Sequence, residues 1–226
     1  MAEERALRLF PTPVLIAQVD DAEAINAELE SAIRKKMAAD KGVTKSNVGG
    51  WHSRTDLFDW AGPAAQRVVQ EAIKLANGHT ATQRGAPAAP NWRVAGWANV
   101  SGPGDSNMVH THGAAYWSVV YYVRAGEGEG GHLLLHDPRM PALRMHAPML
   151  QFKGFGPEGI ARIQAVAGQI VLFPSWLSHS VEPWDGKGER ISIALNLTAP
   201  LPPAAPTAPR AEQPKGRARK APQKTK

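Results

Sequence analysis

His110 and His112 stand two residues apart, His179 follows sixty-nine residues on (179 − 110), and Arg190 eleven beyond that (190 − 179). Residues i and i+2 of a strand point to the same face, so His110-Thr111-His112 can aim two imidazoles at one metal ion. His179 follows a hydrophobic strand, Gln169 to Pro174, and Arg190 opens another, Arg190 to Asn196. A close ligand pair, a distant third ligand and a strand-borne cation point to a redox metal site that holds a carboxylate-bearing cosubstrate. Imidazole suits Fe, Zn, Cu and Ni alike, so ligand type alone does not choose the metal. Just upstream, Gly102-Pro103-Gly104 lets the chain approach a pocket mouth.

The elements that must position these groups divide the chain in two. Leu7 to Val19 reads as an extended segment. Asp21 is placed to cap a helix reaching about Ala39, with Ile25, Leu29 and Ile33 at four-residue spacing on one face. After a Gly49-Gly50 turn, a second helix is expected from about Pro63 to Asn77, with Val68, Val69, Ile73 and Leu75 as its apolar set. From Asn91 short apolar segments recur between Gly/Pro turns: Trp92–Val100, Tyr116–Val123, His132–His136, Leu143–Phe152, Gly159–Val166, Gln169–Phe173 and Arg190–Leu197. So many short strands with frequent turns predict a sandwich or barrel, with two helices ahead of it. Asn99 and Asn107, on or just before the strand delivering the histidine pair, are open between turn-forming and pocket roles, whereas Trp97 is assigned to the core.

Other motifs weigh less. His132 and His136 flank Leu133-Leu-Leu on one face of a strand, but no further ligand is suggested, so they read as packed or hydrogen-bonded residues. Gly126-Glu-Gly128-Glu-Gly130-Gly131 has the spacing of a phosphate loop, yet it precedes a strand rather than a helix and its glutamates would repel phosphate. It reads as a flexible hairpin connection. There is no GxSxG elbow and no HExxH helix.

The 226 residues suffice for one domain with a substantial core. No run approaches about 18 apolar residues, and the N-terminus lacks the features of a secretory signal, so no membrane contact and a cytoplasmic location are expected. Without cysteine, disulfides, thiolate metal sites and cysteine nucleophiles are excluded. The net charge of +6 belongs to one segment. From Ala199 to Lys226 the chain carries seven basic residues and one acid, which is the whole excess; residues 1–198 hold nineteen of each sign (26 less seven, 20 less one). Rich in Pro, Ala and Lys/Arg, residues 199–226 cannot bury enough apolar area to offset their ordering entropy, so they read as a disordered tail after a 1–198 domain. Such a tail is chiefly solubilising, with a weak, salt-sensitive contact to nucleic acid or another acidic surface as the functional alternative.

Several motifs in order carry a family resemblance: Leu9–Pro13, Gly49-Gly-Trp51-His-Ser53, His110-x-His112, Ser118–Val123, Gly130-Gly131, Asp137-Pro-Arg139, Phe173–Val181 and Arg190–Asn196. Over about residues 7 to 198 the chain resembles the 2-oxoglutarate/Fe(II)-dependent oxygenases, in particular a bacterial and phage group related to the prolyl hydroxylases. The resemblance implies a mainly β fold with flanking α, a double-stranded β-helix of jelly-roll or cupin-like form. It also implies an oxygenase that couples decarboxylation of 2-oxoglutarate to succinate with C–H oxidation, using Fe(II) and O2. His110 and His179 would be metal ligands, and Arg190 would hold the distal carboxylate of 2-oxoglutarate. Ser192 would complete an Arg-x-Ser pattern, and Tyr122 would offer its hydroxyl to the same carboxylate.

Position 112 departs from the family, which has His-x-Asp/Glu there. A neutral imidazole in place of an anionic oxygen leaves Fe(II) one unit more positive. Either His112 ligates, the reading favoured here, or water or Asp137 fills the third position, or the site is inert. Two rivals remain: a cupin-like three-histidine dioxygenase without a cosubstrate, and a non-catalytic metal-binding or interaction protein. The substrate and the oligomeric state are not legible.

Overall fold

The computed structural model describes residues 9–140, 149–150 and 159–200. Two antiparallel sheets face each other. The larger has the order β1 (Leu15–Gln18), β9 (Gln169–Pro174), β6 (Trp117–Arg124), β11 (Arg190–Thr198), β4 (Arg93–Ser101), β3 (Trp51–His52). The smaller runs β2 (Asn47–Val48), β5 (Ser106–His110), β10 (His179–Val181), β7 (Leu133–His136), β8 (Ile160–Ile163). Three helices, α1 (Ala22–Ala39), α2 (Leu57–Trp60) and α3 (Gly62–Gly78), pack on the larger sheet. This is the expected double-stranded β-helix with its N-terminal helices.

Strand periodicity sorts the chemistry. Along β11, Ile191, Ile193, Leu195 and Leu197 join the core shared with the helices, while Arg190, Ser192, Ala194 and Asn196 line a cavity between the sheets. On β6, Trp117, Val119, Tyr121 and Val123 face the helices, and Ser118, Val120 and Tyr122 turn inward. Between the sheets, Tyr122, Leu133, Leu135, Val171, Phe173 and Leu177 form a second, smaller core. Both faces of the central strands are therefore covered, which is why they read as nearly continuous apolar runs.

The helices match expectation in place but differ in detail. Ile25, Leu29 and Ile33 are buried as their spacing predicts. Asp21 sits at the start of α1 but makes no side-chain cap: its backbone is left-handed (φ 53°), and its carboxylate accepts from Arg67 at 3.1 Å instead. On α3 the buried stripe is Ala64, Ala65, Val68, Val69, Ala72 and Ala76, with Ile73 and Leu75 only half-buried. Small residues let α3 lie close to the sheet. The single-turn helix α2 and the short strands β2, β3 and β10 have no counterpart in the sequence-based reading, and the strand expected to carry the histidine pair ends at His110. Segment 126–131 is not a flexible hairpin: it carries the chain from β6 in one sheet to β7 in the other and lies on Trp184, where a Cβ at Gly126 would come within 2.5 Å of the indole. Of the strand expected at Leu143–Phe152 only Met149 and Leu150 are described, exposed and outside any strand, and the basic tail beyond Pro200 lies outside the described residues. No helix among those described is long and apolar enough to cross a membrane.

At Gly96 a Cβ would meet Leu195 at 2.8 Å, Leu57 at 3.1 Å and Phe58 at 3.2 Å. Leu57 and Leu195 are fully buried, so they have little room to yield. Gly96→Val should cost about 1–3 kcal/mol through overpacking. Urea melts should show a lower midpoint with an unchanged slope.

Candidate metal centre

β5 and β10 pair antiparallel, with His110 directly opposite His179. That register closes the sixty-nine-residue gap: the two ring centroids are 4.2 Å apart. His112 lies just past the end of β5, so it does not join by strand alternation as its spacing suggested. Its backbone N–H donates to the Ser175 carbonyl at 3.0 Å, which turns the chain so that the His112 ring stands 4.9 Å from His110 and 5.1 Å from His179. Ligand atoms of the three histidines fall within 4.8 Å of one another, and they form the only such group among the described residues. Asp137 is elsewhere occupied: its carboxylate takes both Nε and an Nη of Arg139 at 2.9 and 2.7 Å.

Two of the three rings are oriented by their own strands. The Nδ1–H groups of His110 and His179 donate to the carbonyls of Met108 and Leu177, at 2.7 and 2.9 Å. This leaves each Nε2 as the lone-pair atom facing the cluster. Burial pushes His112 down to about 4, with the neighbouring charge of His110 adding to it. Burial also takes His179 down to about 3. Both rings are therefore neutral, the form in which imidazole binds a metal, at any ordinary pH.

Beside the histidines a cavity of about 50 Å³ runs into the barrel. All eight residues singled out in the sequence line it: Asn99, Asn107, His110, His112, Tyr122, His179, Arg190 and Ser192. Arg190 is 4% exposed and Tyr122 fully buried, with the guanidinium carbon 5.5 Å from the phenol ring centre. The Arg190 Nε, the Tyr122 hydroxyl and the Asn99 Oδ1 have no hydrogen-bond partner. Burial raises the Tyr122 pKa, so its hydroxyl is a neutral donor. A buried cation without a counter-charge is costly, and orphan donors beside it mark a place for an anionic oxygen. These residues fit a carboxylate at Arg190 and Tyr122 and a metal at the three histidines.

The sequence reading missed two neighbours. His52 is buried, stacks on Trp97 (5.6 Å, 9° between planes) and donates from Nδ1 to the Ser53 carbonyl at 2.6 Å. Its pKa is lowered, first by burial and further by Lys45. Trp97 is a half-buried wall of the site, 5.6 Å from His112, not a core residue. Parity could have found it, because Trp97 shares a strand face with Asn99 and Ser101. His132 and His136 are hydrogen-bonded as expected, to Glu182 (2.7 Å) and Ser180 (2.9 Å).

A family model described as "Putative 2OG-Fe(II) oxygenase" matches residues 95–196, from within β4 to Asn196 on the site-bearing strand β11. The matched segment holds all three histidines, Tyr122, Arg190 and Ser192. Solved structures of similar fold include a Pseudomonas putida prolyl-4-hydroxylase, 17% identical, covering 84% of this chain and 94% of that one, with a TM-score of 0.57. A prolyl hydroxylase from Trichoplax adhaerens is 14% identical over 82% and 83% of the two chains (TM-score 0.57). HygX from Streptomyces hygroscopicus, with nickel and 2-oxoglutarate bound, is 15% identical over 83% of each (TM-score 0.58). No curated protein matches the chain. The family match over residues 95–196 and the fold both liken this chain to the 2-oxoglutarate/Fe(II)-dependent oxygenases, and the three-histidine cluster suits Fe(II).

Depressed histidine pKa values carry a stability consequence. Unfolded, each ring titrates near 6.5. In the metal-free protein, stability contributed by neutral His112 and His179 is fully present above about pH 6.5 and is lost as pH falls through about 4 and about 3. Denaturant midpoints should fall steadily from pH 7 to pH 5, and the His112 ring resonance should titrate near 4. A ring titrating near 6.5 would contradict this packing.

Proposed function

We propose that His110, His112 and His179 hold Fe(II) through their Nε2 atoms and that Arg190 and Tyr122 hold the distal carboxylate of 2-oxoglutarate. The observation that carries this reading is the buried, uncompensated Arg190 beside the orphan Tyr122 hydroxyl, in the same cavity as the three histidines. Bound there together, the metal, the cosubstrate and O2 supply decarboxylation of 2-oxoglutarate to succinate and CO2 and the oxidation of a substrate C–H bond.

The chain's own part is orientation and exclusion of water. Arg190 offers a planar fork for a bidentate ion pair, and Tyr122 adds a neutral O–H donor. Ser192, on the Arg190 side of β11, adds a hydroxyl two residues along. Asn99, whose Oδ1 lacks a partner, supplies a polar atom to the same wall, and Asn107 donates to Ser46 at 3.4 Å on the rim. Phe173 packs against the His179 ring at 4.8 Å and keeps that side of the metal position apolar. Because His112 is neutral, the metal is held without an anionic protein ligand, and negative charge reaches it from bound molecules. A cosubstrate-independent dioxygenase would leave Arg190 and Tyr122 without a partner, which disfavours that alternative. Within this reading residues 1–198 are the catalytic domain, in the cytoplasm, and the basic residues 199–226 are an appended tail.

Succinate should form in step with product, and chelation of the metal should abolish it. Arg190→Ala removes one side of a buried charge pair, worth about 2–5 kcal/mol, so 2-oxoglutarate binding should weaken at least about thirtyfold. Tyr122→Phe should cost about 1 kcal/mol, or roughly fivefold. Equal binding in the Arg190 variant and the parent sinks its assignment. Separately, each of His110→Ala, His112→Ala and His179→Ala should weaken Co(II) binding by more than the roughly 10–100-fold that loss of an outer partner costs. His112→Ala binding Co(II) as tightly as the parent would leave only two protein ligands.

A further inference from the structure

Beyond the three-histidine face lies a cleft of about 810 Å³, bounded by Lys45, His52, Arg54, Trp97 and Asn196. Its size is that of a small-molecule site. Neither the cleft nor the inner cavity is lined by an aspartate or glutamate among the described residues. Lys45 is exposed and has no ion-pair partner among them. Arg54 reaches Asp40 only at 3.9 Å, and Asp40 is already engaged by Lys36 at 3.3 Å and by the Gly42 N–H at 2.9 Å. Two largely uncompensated cations therefore stand at the mouth of the site, in a domain whose formal charges balance overall.

Asn196, which lines both cavities, is set by a hydrogen-bond chain whose direction is determined. Ser118 Oγ lies 2.9 Å from Ser175 Oγ and 3.2 Å from Asn196 Oδ1. Ser118 has one proton, which goes to the Asn196 oxygen, so Ser175 donates to Ser118. The Asn196 Nδ2 is left with its two hydrogens and no partner among the described residues. It is a donor where cavity and cleft meet.

We propose that this cleft binds an anionic organic substrate, its charged group held by Lys45 and Arg54 and an acceptor oxygen by Asn196 Nδ2. This rests on the oxygenase reading, since it places the substrate of that site. The test uses full-length protein loaded with Co(II) and 2-oxoglutarate, with calorimetric titration of phenyl phosphate and of uncharged benzyl alcohol. Phenyl phosphate should bind at least tenfold more tightly, with a preference that shrinks as salt rises. Lys45→Gln/Arg54→Gln should erase the preference, and Lys45→Arg/Arg54→Lys should keep it. Equal binding of the two probes overturns the proposal. So does a preference surviving in the glutamine variant, which would locate the anion elsewhere, on the basic tail for instance. Loss of Co(II) or 2-oxoglutarate binding in the parent removes the oxygenase reading instead. The probe comparison is then made on metal-free protein, where loss of the preference in the glutamine variant still supports the cleft and its retention overturns it.

Discussion

A nine-residue strand buried on both faces is the constraint from which this site follows. Because β11 alternates strictly, its odd positions tie the sheet to the helices and its even positions furnish the cavity. A one-residue slip against β4 or β6 would exchange the two sets, burying Arg190 among the helices and turning Ile191 toward the histidines. Nine paired residues against β4, and six in unbroken register against β6 from Ser192 to Leu197, hold the register; it shifts only between Ile191 and Ser192. The catalytic layout is therefore secured by the same apolar contacts that stabilise the domain.

The smaller sheet contributes differently. Its strands are short, and its role is to oppose His110 and His179 across one antiparallel pair. Two residues of β2 cover the outer edge of β5. Rigid support thus comes from one sheet and ligand convergence from the other, with Phe173 and Leu177 packed between them.

Much of this was legible from the chain, for physical reasons. Ile25, Leu29 and Ile33 have a helical period that tertiary packing does not alter, and the apolar runs of β6, β9 and β11 are long enough to identify themselves. The pairing of His110 with His179 was visible as chemistry, since few other arrangements use those residues. What stayed hidden depends on non-local register or on too few residues for a period. The bounds of β5 (Ser-Asn-Met-Val-His) were hidden because it is half-polar and half-exposed, β10 has three residues, and α2 is a single turn. His52 reaches Trp97 only because β3 pairs with β4. Asp21 had the right type for a cap but a backbone that turns its carboxylate toward α3. His112 came to the cluster by a loop hydrogen bond, although strand parity had suggested the correct partner for the wrong reason.

The buried Arg190 gives the folded state an unusual dependence on its surroundings. A guanidinium removed from water with no protein counter-charge weakens the native state relative to the unfolded chain, where the same group is fully hydrated. Any dicarboxylate that pairs with it binds the native form alone and so shifts the folding equilibrium by mass action. With Arg190 holding 2-oxoglutarate as proposed, the cosubstrate would be a folding ligand as well as a reactant. On that proposal the lifetime of the protein, and not only its turnover, would track the local supply of 2-oxoglutarate.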